Sequence, residues 1–207
     1  MEEISAEMRK ITGLPMLYNA ATGQERWREV LAEVKADLAE YGIENDPDNL
    51  AEIMAKVLTG TTAGNKGICF LGGVGSGKTK RVRFLASVGR NIHFFDAATL
   101  CNEWLASDGD DNYLREYIGV TGYKHELVID DLGTESEKYV CYGNSVDVMT
   151  EKVIPWRYNV FPQYRTFFTT NLTKQQLRDR YGSRCWSRLN EMCAFVPLTH
   201  ADRRLER

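Results

Sequence analysis

The sequence has no apolar run long enough to span a bilayer as a helix. Its five cysteines (Cys69, Cys101, Cys141, Cys185 and Cys193) are scattered, odd in number and never arranged as C-x-x-C. Neither a zinc site nor a disulfide framework is indicated, and a reducing compartment is expected. An excess of one charge is also missing: 26 Lys and Arg face 29 Asp and Glu, for a net −3. The surface as a whole is no attractor of nucleic acid, and any such contact has to be a local patch. The acidic start, Met1-Glu2-Glu3, lacks the basic-then-apolar layout of a signal peptide, so a cytoplasmic protein is expected. Internal repeats and low-complexity segments are absent too. What remains is an ordinary globular composition, 43% apolar and 27% charged over 207 residues. That suffices for one domain with a real core and a small appendage.

One stretch organises the rest: Gly72-Gly73-Val74-Gly75-Ser76-Gly77-Lys78-Thr79 fits G-x-x-x-x-G-K-[ST]. Glycines let the backbone curl so that successive N–H groups point at a phosphate. Lys78 has the reach for the β- and γ-phosphates, and the Thr79 hydroxyl suits Mg²⁺. A helix starting here adds its positive dipole end. The context agrees. Ile68-Cys69-Phe70-Leu71 reads as a buried strand, while Val82, Leu85 and Val88 recur at helical spacing, with Gly89 placed to stop the helix. The chain is expected to bind a nucleoside triphosphate, ATP with Mg²⁺, through Gly72 to Lys80.

Residues 1–45 read as an N-terminal helical segment suited to a partner, and 46–207 as the nucleotide core. In the first part, Thr22 and Glu25 have capping-box spacing. Trp27, Val30, Leu31, Val34, Leu38 and Tyr41 then line one helix face, which Gly42 can close. That stripe packs on the body of the chain or, alternatively, docks a partner. A second helix starts near Asp46 or Asp48 with Pro47 in its first turn. Its stripe is Leu50, Ile53, Met54, Val57 and Leu58, and Gly60 stops it. Thr61 to Lys66 reads as a linker. Further strands are expected at Ile92–Phe95, Glu126–Asp131, Arg165–Asn171 and Ala194–Leu198. Between them come helices at Ala97–Ala106 (N-cap Asp96), Tyr113–Ile118 and Ser145–Tyr158, the last kinked or ended by Pro155. Thr173–Arg180 and Ser183–Cys193 are helices broken at Gly182. Alternation of strand and helix predicts an α/β fold, a parallel five-stranded sheet flanked by helices.

Carboxylates appear where the run Leu127-Val128-Ile129 ends, and ligands of open parallel sheets bind at strand C-termini. Asp130 is assigned to the metal or its waters. Asp131 is assigned to polarising the attacking water. Asn171 ends the fourth strand; if that strand lies between the ones carrying the loop and the aspartates, Asn171 faces the γ-phosphate. Arg184 and Arg188, four apart, share a helix face, with Arg178 and Arg180 upstream. They form a solvated face or supply an arginine finger to a neighbour's γ-phosphate.

Taken in order, four motifs carry a family resemblance. They are the phosphate loop, Leu127-Val128-Ile129-Asp130-Asp131-Leu132-Gly133-Thr134-Glu135, Phe168-Thr169-Thr170-Asn171-Leu172, and the segment from Tyr181 to Leu189. Over roughly residues 48 to 198 the chain resembles the AAA+ ATPases of the DnaC/IstB group, which are bacterial replicative-helicase loaders (DnaC/DnaI-like) and helper ATPases of transposition. The resemblance implies a AAA+ P-loop core in which Asn171 is the sensor-1 residue and Arg188 is the arginine finger, with Arg184 beside it. It implies slow, partner- or oligomer-stimulated ATP hydrolysis, self-association through the trans arginine, and a DnaB-type helicase and single-stranded DNA as partners. Two departures stand out. Lys80, Arg81 and Arg83 follow Thr79 where the family tends to a His and small apolar residues, and the sequence has no room for a C-terminal lid domain after its last strand. The three basic residues are the local candidates for DNA contact, against a solvated helix face.

Other nucleotide chemistries fit less well. Asp130-Asp131-Leu132-Gly133 fits D-x-x-G, but no Asn-Lys-x-Asp follows to read guanine, and no Leu-Ser-Gly-Gly segment marks an ABC-type ATPase. A small-molecule P-loop kinase, with Arg178, Arg180 and Arg184 as a lid, stays open. So does a switch in which ATP binding alone holds a partner.

Overall fold

The computed structural model describes residues 26–40, 43, 50–58, 63–88 and 91–198. Two helices come first, α1 (Arg26–Glu40) and α2 (Leu50–Leu58), then a 3₁₀ turn at Ala63–Asn65 inside the expected linker. Strand β1 (Gly67–Leu71) leads into α3 (Lys78–Val88), β2 (Ile92–Asp96), α4 (Ala97–Ala106) and α5 (Asp111–Tyr117). Strand β3 (Glu126–Leu132) is followed by a hairpin of β4 (Tyr139–Cys141) and β5 (Asn144–Val146). The remainder is α6 (Ile154–Val160), β6 (Thr166–Thr170), α7 (Lys174–Met192) and β7 (Cys193–Pro197). The expected caps at Thr22 and Glu25, Gly42, Asp46 to Asp48, Gly60 and Gly89 lie outside the described residues, as do Tyr41 and the side chains of Trp27 and Val88.

The main sheet is parallel throughout, in the order β2-β3-β6-β1-β7. Its inner strands are apolar at successive positions because both faces are covered. On one face Ile68, Phe70, Val128 and Phe167 meet Val82, Phe84 and Leu85 of α3, Leu50, Met54 and Val57 of α2, and Val30, Val34 and Leu38 of α1. On the other, Cys69, Leu71, Leu127, Ile129 and Phe168 meet Leu100 and Trp104 of α4, Leu114 of α5, and Leu177, Cys185 and Leu189 of α7. Val30, Val34 and Leu38 of the α1 stripe are therefore buried in the body of the chain, with Leu31 partly so. All five cysteines are free thiols, four of them buried. Among the described residues no helix is long and apolar enough to cross a membrane.

Two stretches differ from expectation. The helix expected from Ser145 gives way at its start to strand β5, because Tyr142 (φ 49°) and Gly143 (φ 78°) turn the chain back into a hairpin. Pro155 does not end the helix; it sits in the first turn of α6, just after a change of helical register. A proline inside an α-helix clashes with the carbonyl four residues earlier. Here residues Met149–Val153 form a π turn, and Ile154 N–H donates to Met149 O, five residues back, which opens the room the ring needs. At Gly182 (φ 74°, ψ 166°) the backbone of α7 leaves helical space, as the sequence suggested. Only glycine enters that region at little cost. The first half of α7 is closed by a capping box, Thr173 with Gln176.

Candidate nucleotide-binding site

The loop between β1 and α3 starts beside the central strand β6, where Gly72 N–H donates to Thr170 O. Gly77 has φ +83°, and a Cβ there would stand 2.6 Å from Nη1 of Arg81. The reason is that Arg81 is buried beneath the loop and donates from Nη1 to Ser76 O (3.0 Å). Arg81 is thus withdrawn from the expected basic patch; it braces the loop from below. Buried Ser76 Oγ has no hydrogen-bond partner.

Lys78 is almost wholly buried, and its ammonium donates to Gly72 O (2.8 Å), Gly73 O (2.8 Å) and Oδ1 of Asn171 (2.7 Å). An ammonium held by carbonyl dipoles and an amide oxygen is aimed and desolvated, two conditions that strengthen its attraction for an anion. Asn171 reaches Lys78 because β6 lies between β1 and β3, the arrangement on which its expected role depended. Beside it, Thr79 Oγ1 donates to Oδ1 of Asp130 (3.2 Å).

Thr169 had no role in the sequence reading beyond ending a strand. In the structure it is fully buried; its hydroxyl donates to Asp130 Oδ1 (2.5 Å) and accepts the N–H of Asp131 (2.8 Å). One hydroxyl therefore orients both aspartates. Its signal was its place in the polar Thr169-Thr170-Asn171 end of the strand. Thr170 Oγ1 donates to Leu132 O and accepts from Leu172 N, fixing the turn that carries Asn171.

The two aspartates are separated by a β-bulge. Ile129 pairs with Phe168 and Leu132 with Thr170, so β3 fits three steps where β6 has two. Asp131 takes up the extra residue at φ 53°. Asp130 is buried under α3, whereas Asp131 faces an open pocket of about 550 Å³. Val74, Gly75, Gly77, Lys78, Thr79, Lys80, Arg83, Asp131 and Asn171 line that pocket. Lys80 and Arg83, candidates for DNA contact by sequence, thus lie on this pocket.

A Mg²⁺ ion suits this donor set. It takes one or two carboxylates together with water and phosphate oxygens. Thr79 and Asp130 offer a hydroxyl and a carboxylate oxygen at the edge of the phosphate loop. Among the described residues no group of three or more His, Cys, Asp or Glu side chains could hold a metal by itself.

Arg184 and Arg188 lie elsewhere. With Ser183, Thr150 and Glu151 they line a second pocket of about 570 Å³, which shares no residue with the first. Arg184 is exposed, and the Arg188 guanidinium lies 5.4 Å from the centre of the Tyr158 ring. Arg180 is not with them. It pairs with Asp147 (2.9 Å) and with buried Glu135 (3.1 Å), which also accepts from Tyr181 Oη (2.6 Å) and Gly133 N (2.9 Å). Burial and Glu135 push the Tyr181 phenol far above its usual range, so it stays a donor. Arg180 thus ties α7 to the loop after β3 and cannot serve as a lid over the phosphates.

No protein-family model matches the chain, and no curated protein does. Solved structures do. The fold is similar to the crystal structure of DnaI, with 24% identity, 88% of this chain and 94% of that chain covered, and a TM-score of 0.55. It is also similar to AMPPCP-bound DnaA from Aquifex aeolicus, with 16% identity, 76% and 49% coverage, and a TM-score of 0.58. These likenesses show the fold: a P-loop α/β core of the kind that DnaI and DnaA share.

Proposed function

We propose that this chain binds Mg·ATP at Gly72–Lys80, hydrolyses it, and acts as a loader of a hexameric DnaB-type helicase onto single-stranded DNA. The observation that carries the nucleotide reading is the convergence of Lys78, Thr79, Asp130 and Asn171 within hydrogen-bond reach around one pocket. The helicase partner rests on the fold shared with DnaI and on the sequence resemblance to helicase loaders. The phosphate loop amides and Lys78 hold the phosphates; Thr79 and Asp130 would hold Mg²⁺, which when bound offsets phosphate charge. Asp131 takes the proton of a water as its oxygen bonds to the terminal phosphorus and the bond to the ADP oxygen breaks. Asn171 donates from its amide nitrogen to that water or to a terminal phosphate oxygen, while its Oδ1 stays on Lys78.

Replacing Lys78 by Ala removes the desolvated cation and leaves Asn171 Oδ1 without this donor. Charge-assisted hydrogen bonds contribute about 1.5–3 kcal/mol each, so ATP affinity should fall about 10- to 100-fold. Calorimetric titration with ATP measures this, and an unchanged Kd would remove the nucleotide reading.

Arg188 completes the site of a neighbouring copy. Its pocket is separate from the phosphate pocket of its own chain, which favours action in trans. The hydrolysis rate per chain should then rise with protein concentration. Arg188→Ala and Lys78→Ala, each inactive alone, should regain activity when mixed, because one supplies an intact phosphate loop and the other an intact arginine. Failure of the mixture to exceed the sum of its parts would exclude the trans role. The kinase reading loses Arg180 from its lid, because that residue is engaged by Glu135 and Asp147.

A further inference from the structure

Helix α3 carries a second cation toward the phosphate pocket. Arg83 follows Thr79 by four residues, so the two share a helix face. Helix side chains lean toward the N-terminus, which directs Arg83 back along that face toward Thr79 and Asp130. Its place among the residues that line the pocket, with Asp131 and Asn171, agrees. The guanidinium carbon lies 5.3 Å from the centre of the Phe94 ring on β2. Phe94 is itself anchored, half-buried, against the α3 side of the core. A guanidinium held over an aromatic face keeps its orientation and its charge. Among the described residues no carboxylate forms an ion pair with it. An oriented cation with no carboxylate partner among the described residues, in a pocket of this lining, has an obvious class of ligand.

We infer that Arg83 recognises the terminal phosphate of the bound nucleoside triphosphate from within the same chain, and so makes the site prefer triphosphate to diphosphate. The inference rests on the nucleotide reading above. It goes beyond it by adding a residue outside the phosphate-loop motif, on the metal side of the pocket, where the terminal phosphate lies. Phe94 is its positioning residue, acting by holding the guanidinium.

The test is calorimetric titration of the full chain with AMPPCP, which is not cleaved at the β–γ bridge, and with ADP, each with Mg²⁺. Arg83→Ala should weaken AMPPCP by about tenfold and ADP by less than twofold, lowering the triphosphate preference several-fold. Arg83→Lys should restore part of that preference. Phe94→Leu keeps apolar bulk and removes the ring; it should weaken AMPPCP by about threefold and spare ADP. A merely structural role for Arg83 would lower both affinities together, so equal losses overturn the inference, as does AMPPCP affinity in Arg83→Ala within twofold of the unaltered chain. If the unaltered chain binds neither nucleotide, the nucleotide reading fails and this inference with it. If it binds both and only the Arg83 variants behave alike, Arg83 alone is removed.

Discussion

Replacing Asp131 by Asn should leave Mg·ATP binding within about threefold of normal and slow hydrolysis by two to three orders of magnitude. The expectation follows from where the two aspartates stand. Asp130 is buried, within reach of Thr79 and pinned by Thr169. Asp131 is set apart by the bulge and opens onto the pocket. A positioned base that takes a proton in the transition state contributes about 10²–10⁴ in rate. The Asn variant isolates that contribution. Asp131 has φ 53°, a backbone region that Asn tolerates as well as Asp does, whereas Ala would add strain there. Its N–H still reaches Thr169, and only the side-chain charge is lost. Phosphate release under saturating ATP, alongside titration of binding, checks both halves. A rate within threefold of the unaltered chain would assign the base to another group. The same variant traps the ATP-bound state, so a DnaB-type helicase should co-purify with it in ATP and not with Lys78→Ala. A transposase in its place would move the chain to the transposition-helper branch with its nucleotide chemistry unchanged.

The parts of the site legible in the sequence are those where a strand's apolar run stops at a polar residue. Leu71 to Gly72, Ile129 to Asp130 and Phe168 to Thr169 are abrupt changes, and in a parallel sheet they fall at one edge. The three inner strands could be placed for the same reason, each a short run covered on both faces, and the edge strands β2 and β7 from apolar runs that end up only partly buried. What escaped depends on pairings between segments far apart in sequence. The bulge at Asp131 exists because β3 and β6 fall out of step, and neither strand shows that alone. Arg180 reads as one of a group of basic residues until Glu135, 45 positions earlier, is brought against it. Arg81 looks like surface charge because its neighbours Lys80 and Arg83 are exposed; the curl of the loop over α3 is what buries it. The β4–β5 hairpin was missed because its strands are three residues long, too short for alternation to register.

Arg157→Met should be the most destabilising single change in the described core, about 3–5 kcal/mol, without touching nucleotide affinity. Arg157 is fully buried. Its Nε donates to Thr166 Oγ1 (2.9 Å), Nη1 to the carbonyls of Ile118 (2.9 Å), Gly119 (3.4 Å) and His125 (3.1 Å), and Nη2 to those of Tyr164 (3.2 Å) and Arg165 (2.8 Å). Burial pulls the guanidinium down to about 10, with Glu126 working the other way, so it remains charged at neutral pH. Desolvating that charge is offset by carbonyl dipoles from two loops, which the fork of one guanidinium joins to α6. Met fills much of the volume and satisfies none of those acceptors, and each buried carbonyl left without a donor costs about 1–3 kcal/mol. Lys offers three donors from a point and cannot span both loops, so Arg157→Lys should recover less than half. At about 2–4 °C per kcal/mol for a chain of this size, the melting temperature should drop by about 6–20 °C; urea unfolding gives the free energy directly. The clamp joins His125, just before β3, to Thr166, the first residue of β6, and so works at the N-terminal ends of those strands. The phosphate loop and its partners stand at the opposite, C-terminal edge. ATP affinity of the folded variant should therefore stay within twofold. A loss below 1 kcal/mol would mean that water replaces the guanidinium at little cost, and the two loops would have to be held by their apolar contacts alone.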